Sequence, residues 1–197
     1  MKPDRLNALT DGVVAIVLTI MVLEIKIPAE PTVQAAMAVL PLLAAYLLAF
    51  VNVAIYWNNH HHMVQSTRIV TGGVLWANHA LLFWLTLFPL MIRWIDEAGV
   101  TPWPVASFGV VLIGASSAYL LLERALIHAE GDESTVRHAV GGGAKEWLSF
   151  LMYVAAVPLA FVSPFISIAI YVGVSILWLI PDRRFERRLQ ASDAHPT

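Results

Sequence analysis

Long apolar stretches separated by short polar ones run along the whole chain, and their lengths predict helices that cross a bilayer. A crossing helix needs about 20 mostly apolar residues. Six stretches qualify: 9–27, 33–58, 69–94, 104–125, 147–162 and 165–180. The last two are short and are separated only by Ser163 and Pro164, so they read as a tight transmembrane hairpin. The pattern predicts an all-α membrane protein with six transmembrane helices per protomer. It forms one domain over 1–181, followed by a tail over 182–197 that is short and amphipathic or frayed. The first stretch holds Asp11 near its start and Glu24 near its end, and no small-residue cleavage site follows it. It is therefore a span and not a signal peptide. Pro41, Pro89 and Pro158 are expected to kink their helices.

Composition agrees with this pattern. Of 197 residues, 58% are hydrophobic and only 13% are charged, where a soluble domain carries about 25% charged residues. A disordered chain, a basic nucleic-acid-binding face and most soluble enzymes are excluded on this ground. The absence of cysteine removes disulfides, thiolate metal sites and cysteine nucleophiles. Seven Trp and five Tyr suit a chain with two membrane interfaces to anchor.

Charge placement sets the expected orientation. Six spans put ten of the twelve Lys and Arg residues on one side: Lys2, Arg5, Arg68, Arg124, Arg137, Lys145, Arg183, Arg184, Arg187 and Arg188. Lys26 and Arg93 fall on the other. Positive residues stay cytoplasmic, so both termini are expected in the cytoplasm and the protein in the cell (inner) membrane. The largest polar segment, 128–146, is then a cytoplasmic connector. Its Gly141-Gly142-Gly143 run is followed by Ala144-Lys145-Glu146, which does not make a phosphate-binding loop.

The first span carries the chemistry. On a wheel of about 100° per residue, Gly12, Ile16, Thr19, Ile20 and Leu23 fall on one stripe, and Asp11 lies near the opposite side. An acid inside a span needs partners from other helices. The stripe has two readings. It packs against a neighbouring helix, or it lines a pore whose apolar rings restrict ions by narrowness and dewetting. The second reading requires a symmetric oligomer around the first helix.

Other polar residues cluster at the end of the second span, Asn52, Trp57, Asn58, His60, His61 and His62, and in the third, Trp76, Asn78 and His79. With alternating spans, Arg5 and Asp11 share a side with the His60 region and part of the third helix. The three histidines fit an interfacial polar patch or a hydrogen-bond network that responds to pH. Adjacent helix positions diverge by about 100°, which disfavours a shared metal ion. No nucleophile–base pair, paired general acid and base, or G-x-S-x-G element is present, so the chain is expected to have no catalytic residues, no resident metal and no cofactor.

The run Arg5-Leu6-Asn7-Ala8-Leu9-Thr10-Asp11-Gly12 resembles the R-x-x-x-F-S-D signature of the transmembrane protein 175 family of potassium channels, with Leu9 for Phe and Thr10 for Ser. Thr19 to Pro28, Tyr56-Trp57-Asn58-Asn59-His60-His61 and the stretch from Asn78 through Leu90 are similar to the same family's first, second and third helices. The resemblance implies a single-repeat prokaryotic member that assembles as a homotetramer in membrane lipid, binds no nucleic acid and passes potassium and other monovalent cations. It implies that the first helices line a central pore without a T-V-G-Y-G carbonyl filter, which this chain also lacks. The narrowest ring would fall on Ile16, with further rings at Ile20 and Leu23 and the potassium-preferring hydroxyl at Thr19. Arg5 and Asp11 would brace the helix against the second and third spans, with His60 and Asn78 as partners. The implied function is a modestly selective potassium leak through a hydrophobic gate. Glu24 either concentrates cations at the outer mouth or pairs with Lys26. The alternative is a proton-coupled secondary transporter using intramembrane Asp and His; no inverted repeat of broken helices is visible to support it.

Overall fold

The computed structural model describes residues 3–131 and 144–179. All regular structure among them is helical: α1 (Pro3–Leu23), α2 (Val33–Ala38), α3 (Leu40–Gln65), α4 (Gly72–Leu85), α5 (Phe88–Ala98), α6 (Pro102–Glu130), α7 (Ala144–Leu159) and α8 (Pro164–Leu179). Helices are the expected solution, because backbone groups inside a bilayer must be satisfied within their own segment. Grouped by the breaks between them, these are six helical segments, the second being α2 with α3 and the third α4 with α5. Among the described residues four segments are long and apolar enough to cross a membrane: 3–23, 33–65, 72–98 and 102–130. The hairpin helices α7 and α8 have 16 residues each, a length of about 24 Å.

Three of the six segments run past the ends of the apolar stretches that identified them. α3 continues to Gln65 and α6 covers 29 residues. α1 instead starts earlier and stops at Leu23, short of the apolar Ile25 and Ile27. Its first turn suits a helix start, with Pro3 where no N–H is needed and Asp4 at the positive end of the dipole.

Two of the three span prolines do more than bend a helix. Pro41 and Pro89 sit in the first turn of α3 and of α5, after breaks at Val39 and at Thr86–Leu87. Proline has no N–H to continue the preceding helix, so a new one starts there. Pro158 lies within α7, one residue before it ends. Gly99 and Gly131 end α5 and α6 with φ of 71°, a conformation that favours glycine.

α6 is the central post and packs on α3, α4, α5, α7 and α8, while α1 packs on α3, α4 and α5. Close approach depends on small residues, as expected where van der Waals contact drives association. At Gly114 a Cβ would collide with the Trp84 ring, and at Gly109 with the Tyr171 hydroxyl.

Polar contacts tie the ends together. Glu130, at the end of α6, accepts from Thr67 Oγ1 at 3.0 Å and from the Arg68 N–H at 2.8 Å. Trp178, near the end of α8, donates to Ser149 Oγ near the start of α7 at 2.8 Å. At the opposite end Lys26 Nζ lies 3.1 Å from Asp96 Oδ2. The spans therefore alternate in direction, and Arg68, Arg124 and Lys145 sort to the end that holds the start of α1. Lys2, Arg137, the Gly141-Gly142-Gly143 run and the 182–197 tail with its four arginines lie outside the described residues.

Candidate functional site

α1 has two faces with opposite fates. Leu6, Thr10, Val14, Val17 and Met21 are buried at i, i+4, i+8, i+11 and i+15, one helical stripe turned into the bundle. Gly12, Ile16, Thr19, Ile20 and Leu23 are all exposed. Ile16 is 59%, Ile20 40% and Leu23 79% accessible within the protomer. The branched apolar stripe drawn from the sequence is thus the part of α1 that its own bundle leaves uncovered. It does not pack against a neighbouring helix of the same protomer.

Thr19 is the one hydroxyl on this stripe. Its hydroxyl donates back to its own helix, to Ala15 O and Ile16 O at 2.9 Å each. The donor is engaged along its own helix, which leaves the hydroxyl oxygen as an acceptor only.

The buried face carries a three-helix polar clamp. Asn78 Oδ1 on α4 accepts from His60 Nε2 on α3 at 2.7 Å. Asn78 Nδ2 donates to Thr10 Oγ1 on α1 at 3.2 Å. The Thr10 hydroxyl lies 3.4 Å from Asn78 Oδ1 and 3.5 Å from His60 Nε2. His60, Asn78 and Thr10 are all buried. Unpaired amide and imidazole groups are costly there, and this ring satisfies them mutually.

The structure brings His60 and Asn78 together, but joins them to Thr10 where the sequence pointed to Asp11. Asp11, one residue and about 100° further round, is exposed and accepts from Trp57 Nε1 at 2.7 Å. Arg5 is exposed and donates to none of the described residues. Thr10 was readable only as a substitute for serine in the motif. The signal that could have found it is its register with Leu6, Val14 and Val17 on the buried stripe. The three histidines part company: His60 joins the clamp, His61 stacks on Trp57 at 5.5 Å and 24°, and His62 is exposed. Among the described residues no group of three His, Cys, Asp or Glu side chains is placed to hold a metal ion. Lys26 pairs with Asp96, leaving Glu24 without it.

A second polar network sits away from α1. Asn52 Nδ2 donates to Ser175 Oγ at 3.0 Å, and Tyr153 donates to Asn52 Oδ1 at 3.5 Å. It ties α3 to α7 and α8 much as the clamp ties α1 to α3 and α4.

Comparison with known proteins places this geometry. Residues 5–89, which include the exposed stripe and the whole clamp, match the family model described as "Endosomal/lysosomal potassium channel TMEM175". A protein of Chryseobacterium sp. named a potassium channel is 43% identical over 190 residues, covering 96% of this chain and 99% of that relative. One from Chamaesiphon minutus, also named a potassium channel, is 26% identical over 199 residues, covering 91% and 94%. The fold is similar to the crystal structure of a lysosomal potassium-selective channel TMEM175 homolog from Chamaesiphon minutus, with a TM-score of 0.79 and 22% identity over 90% of this chain and 96% of that one.

Proposed function

This chain belongs to the TMEM175 family of potassium channels, and from that premise we propose that it is a homotetrameric, leak-type potassium channel whose four copies of α1 surround one axial path. The family's members matched above are named channels and not enzymes. The observation that carries the reading is the uncovered stripe of α1. A helix clamped on one face by Thr10, His60 and Asn78 holds Ile16, Ile20 and Leu23 in a fixed outward direction. Symmetry copies then convert a ladder of side chains into stacked rings.

In this reading Ile16 forms the narrowest ring, with Ile20 and Leu23 beyond it. An ion crossing Ile16 sheds water without carbonyls to replace it, so the gate is hydrophobic and selectivity is modest. Thr19, one turn on, would offer four hydroxyl oxygens, one from each copy, whose hydrogens are already engaged within α1. These compensate part of the dehydration and favour potassium. Asp11 fixes the flank of α1 through Trp57, and Arg5 anchors its start at the cytoplasmic interface. The channel domain spans 1–181, with the tail and both termini in the cytoplasm and the protein in the inner membrane.

The deciding experiment is potassium flux from liposomes holding the purified chain. Flux that follows the potassium gradient without saturating, and without a pH gradient, supports a channel. Flux that saturates and needs a proton gradient makes the protein a carrier, and no flux removes transport altogether.

A further inference from the structure

At the end of the bundle where Lys26 meets Asp96, a crevice descends between α3, α5, α6 and α8. Its deep part is a cavity of about 260 Å³ with an almost wholly apolar wall that includes Leu48, Phe108 and Val172. Its mouth is a cavity of about 470 Å³ that shares Pro41 and Phe165 with the deep part and adds Lys26 and Asp96. The two cavities share Pro41, Ile95, Val100 and Phe165 and so adjoin, setting an apolar groove next to an ion pair at the surface. Lys26 is 71% exposed, while Asp96 is 17% exposed and lies at the wall.

Water is a poor occupant of the deep part, because apolar cavities stay dry. An empty slot of this size also forfeits dispersion contacts along its whole lining. The occupant at hand in a bilayer is a lipid chain. The hydrophobic effect does not pull it in, since a chain is already in an apolar medium. What distinguishes one lipid from another is the mouth, where a cation and an anion lie side by side.

We propose that this crevice binds one membrane phospholipid per protomer, an acyl chain in the slot and a phosphoethanolamine headgroup across Lys26 and Asp96. The phosphate meets the Lys26 ammonium and the headgroup ammonium meets the Asp96 carboxylate, so both charges are matched in sign. Three N–H donors suit a carboxylate that is mostly shielded from water, whereas a choline headgroup has none. A glycerol headgroup brings no cation, leaving Asp96 facing a net anion. The site lies at the opposite end of α1 from the clamp and does not depend on conduction.

The test uses the full chain in vesicles of equal parts phosphatidylethanolamine, phosphatidylcholine and phosphatidylglycerol. A photoreactive benzoylphenylalanine replaces Val172 in the slot or, as the control, Ile176, which is exposed on the same helix outside it. Adducts are identified by mass. The Val172 adducts should be enriched in phosphatidylethanolamine by about two- to five-fold over the Ile176 adducts, the scale of one or two exposed ion pairs. Asp96→Asn, which removes the carboxylate that tells ethanolamine from choline and glycerol, should abolish that enrichment while chain adducts persist. A crosslink from Val172 to a second copy makes the crevice a subunit contact and overturns the proposal. Equal lipid composition at both positions, enrichment unaffected by Asp96→Asn, or no adduct at Val172 each overturns it as well. Should the Val172 replacement not fold, Ala44 on the exposed rim of the same slot takes its place.

Discussion

Asn78 and Thr10, 68 residues apart, face each other across the α1–α4 contact with the Asn78 amide nitrogen donating to the Thr10 hydroxyl at 3.2 Å. The same amide takes the His60 proton on its oxygen at 2.7 Å. One short side chain thus sets the rotation of α1 against two helices. Rotating α1 by one residue would bury Asp11 in place of Thr10 and turn the apolar stripe by about 100°. The direction in which Ile16 points is a consequence of this clamp.

Asn78→Leu should therefore destabilise the protein. It leaves Thr10 and His60 buried without their partner, and interhelical hydrogen bonds in membranes contribute about 0.6–2 kcal/mol each. The expected loss is about 1–3 kcal/mol, including the cost of the orphaned groups. Thermal unfolding in detergent would read it. In a double-mutant cycle with Thr10→Val, the two losses should fall short of additive by about 0.5 kcal/mol or more. Fully additive losses would show that the two residues do not act together.

Ile16→Asn should widen and wet the proposed constriction. Single-channel recordings should then show higher conductance and a lower preference for potassium over sodium, with melting close to wild type because Ile16 is 59% exposed within the protomer. If the variant conducts and discriminates as the parent does, the constriction lies elsewhere.

Thr19 separates chemistry from shape. Thr19→Val keeps the size and removes the hydroxyl oxygen, while Thr19→Ser keeps it. Reversal potentials in mixed potassium and sodium should show reduced discrimination for Val and near-parental discrimination for Ser. Neither change should move stability by more than about 0.5 kcal/mol, as for an exposed site. A Val variant as selective as wild type would deny the hydroxyl its role.

Trp57→Phe removes the indole donor to Asp11 and keeps the aromatic contact with His61. A hydrogen bond to a carboxylate contributes about 1.5–3 kcal/mol when buried, and about 1 kcal/mol is expected here because Asp11 is exposed. Asp11→Asn should cost less than Trp57→Phe, since an amide oxygen still accepts. Chemical unfolding of the two variants side by side gives the order, and the reverse order would contradict this account of the flank.

Gly114→Ala places a methyl group where the Trp84 ring lies. Overpacking of this kind costs about 1–3 kcal/mol. Most of the loss should disappear in a Trp84→Leu background, which vacates the space. An equal penalty in both backgrounds would mean that α4 and α6 do not meet at this pair.

Much of the architecture was legible in residue order because it follows from local rules. Apolar length in a bilayer selects helices, so the six segments could be read directly. Pro41 and Pro89 marked the helix breaks, since a missing N–H acts where it stands. A period of about 3.6 placed Ile16, Thr19, Ile20 and Leu23 together, and the tertiary structure leaves that whole stripe uncovered. Periodicity says which residues share a face, but it does not say which helix that face meets. That depended on how α1, α3 and α4 rotate when they pack, and only the assembled bundle decided it. Packing turned Thr10 and not Asp11 toward His60 and Asn78, gave Asp11 to Trp57, and set Trp84 over Gly114. It also opened the crevice beside Lys26 and Asp96. These relations join residues tens of positions apart, and their energies depend on interhelical distances of a few ångströms that residue order alone does not contain.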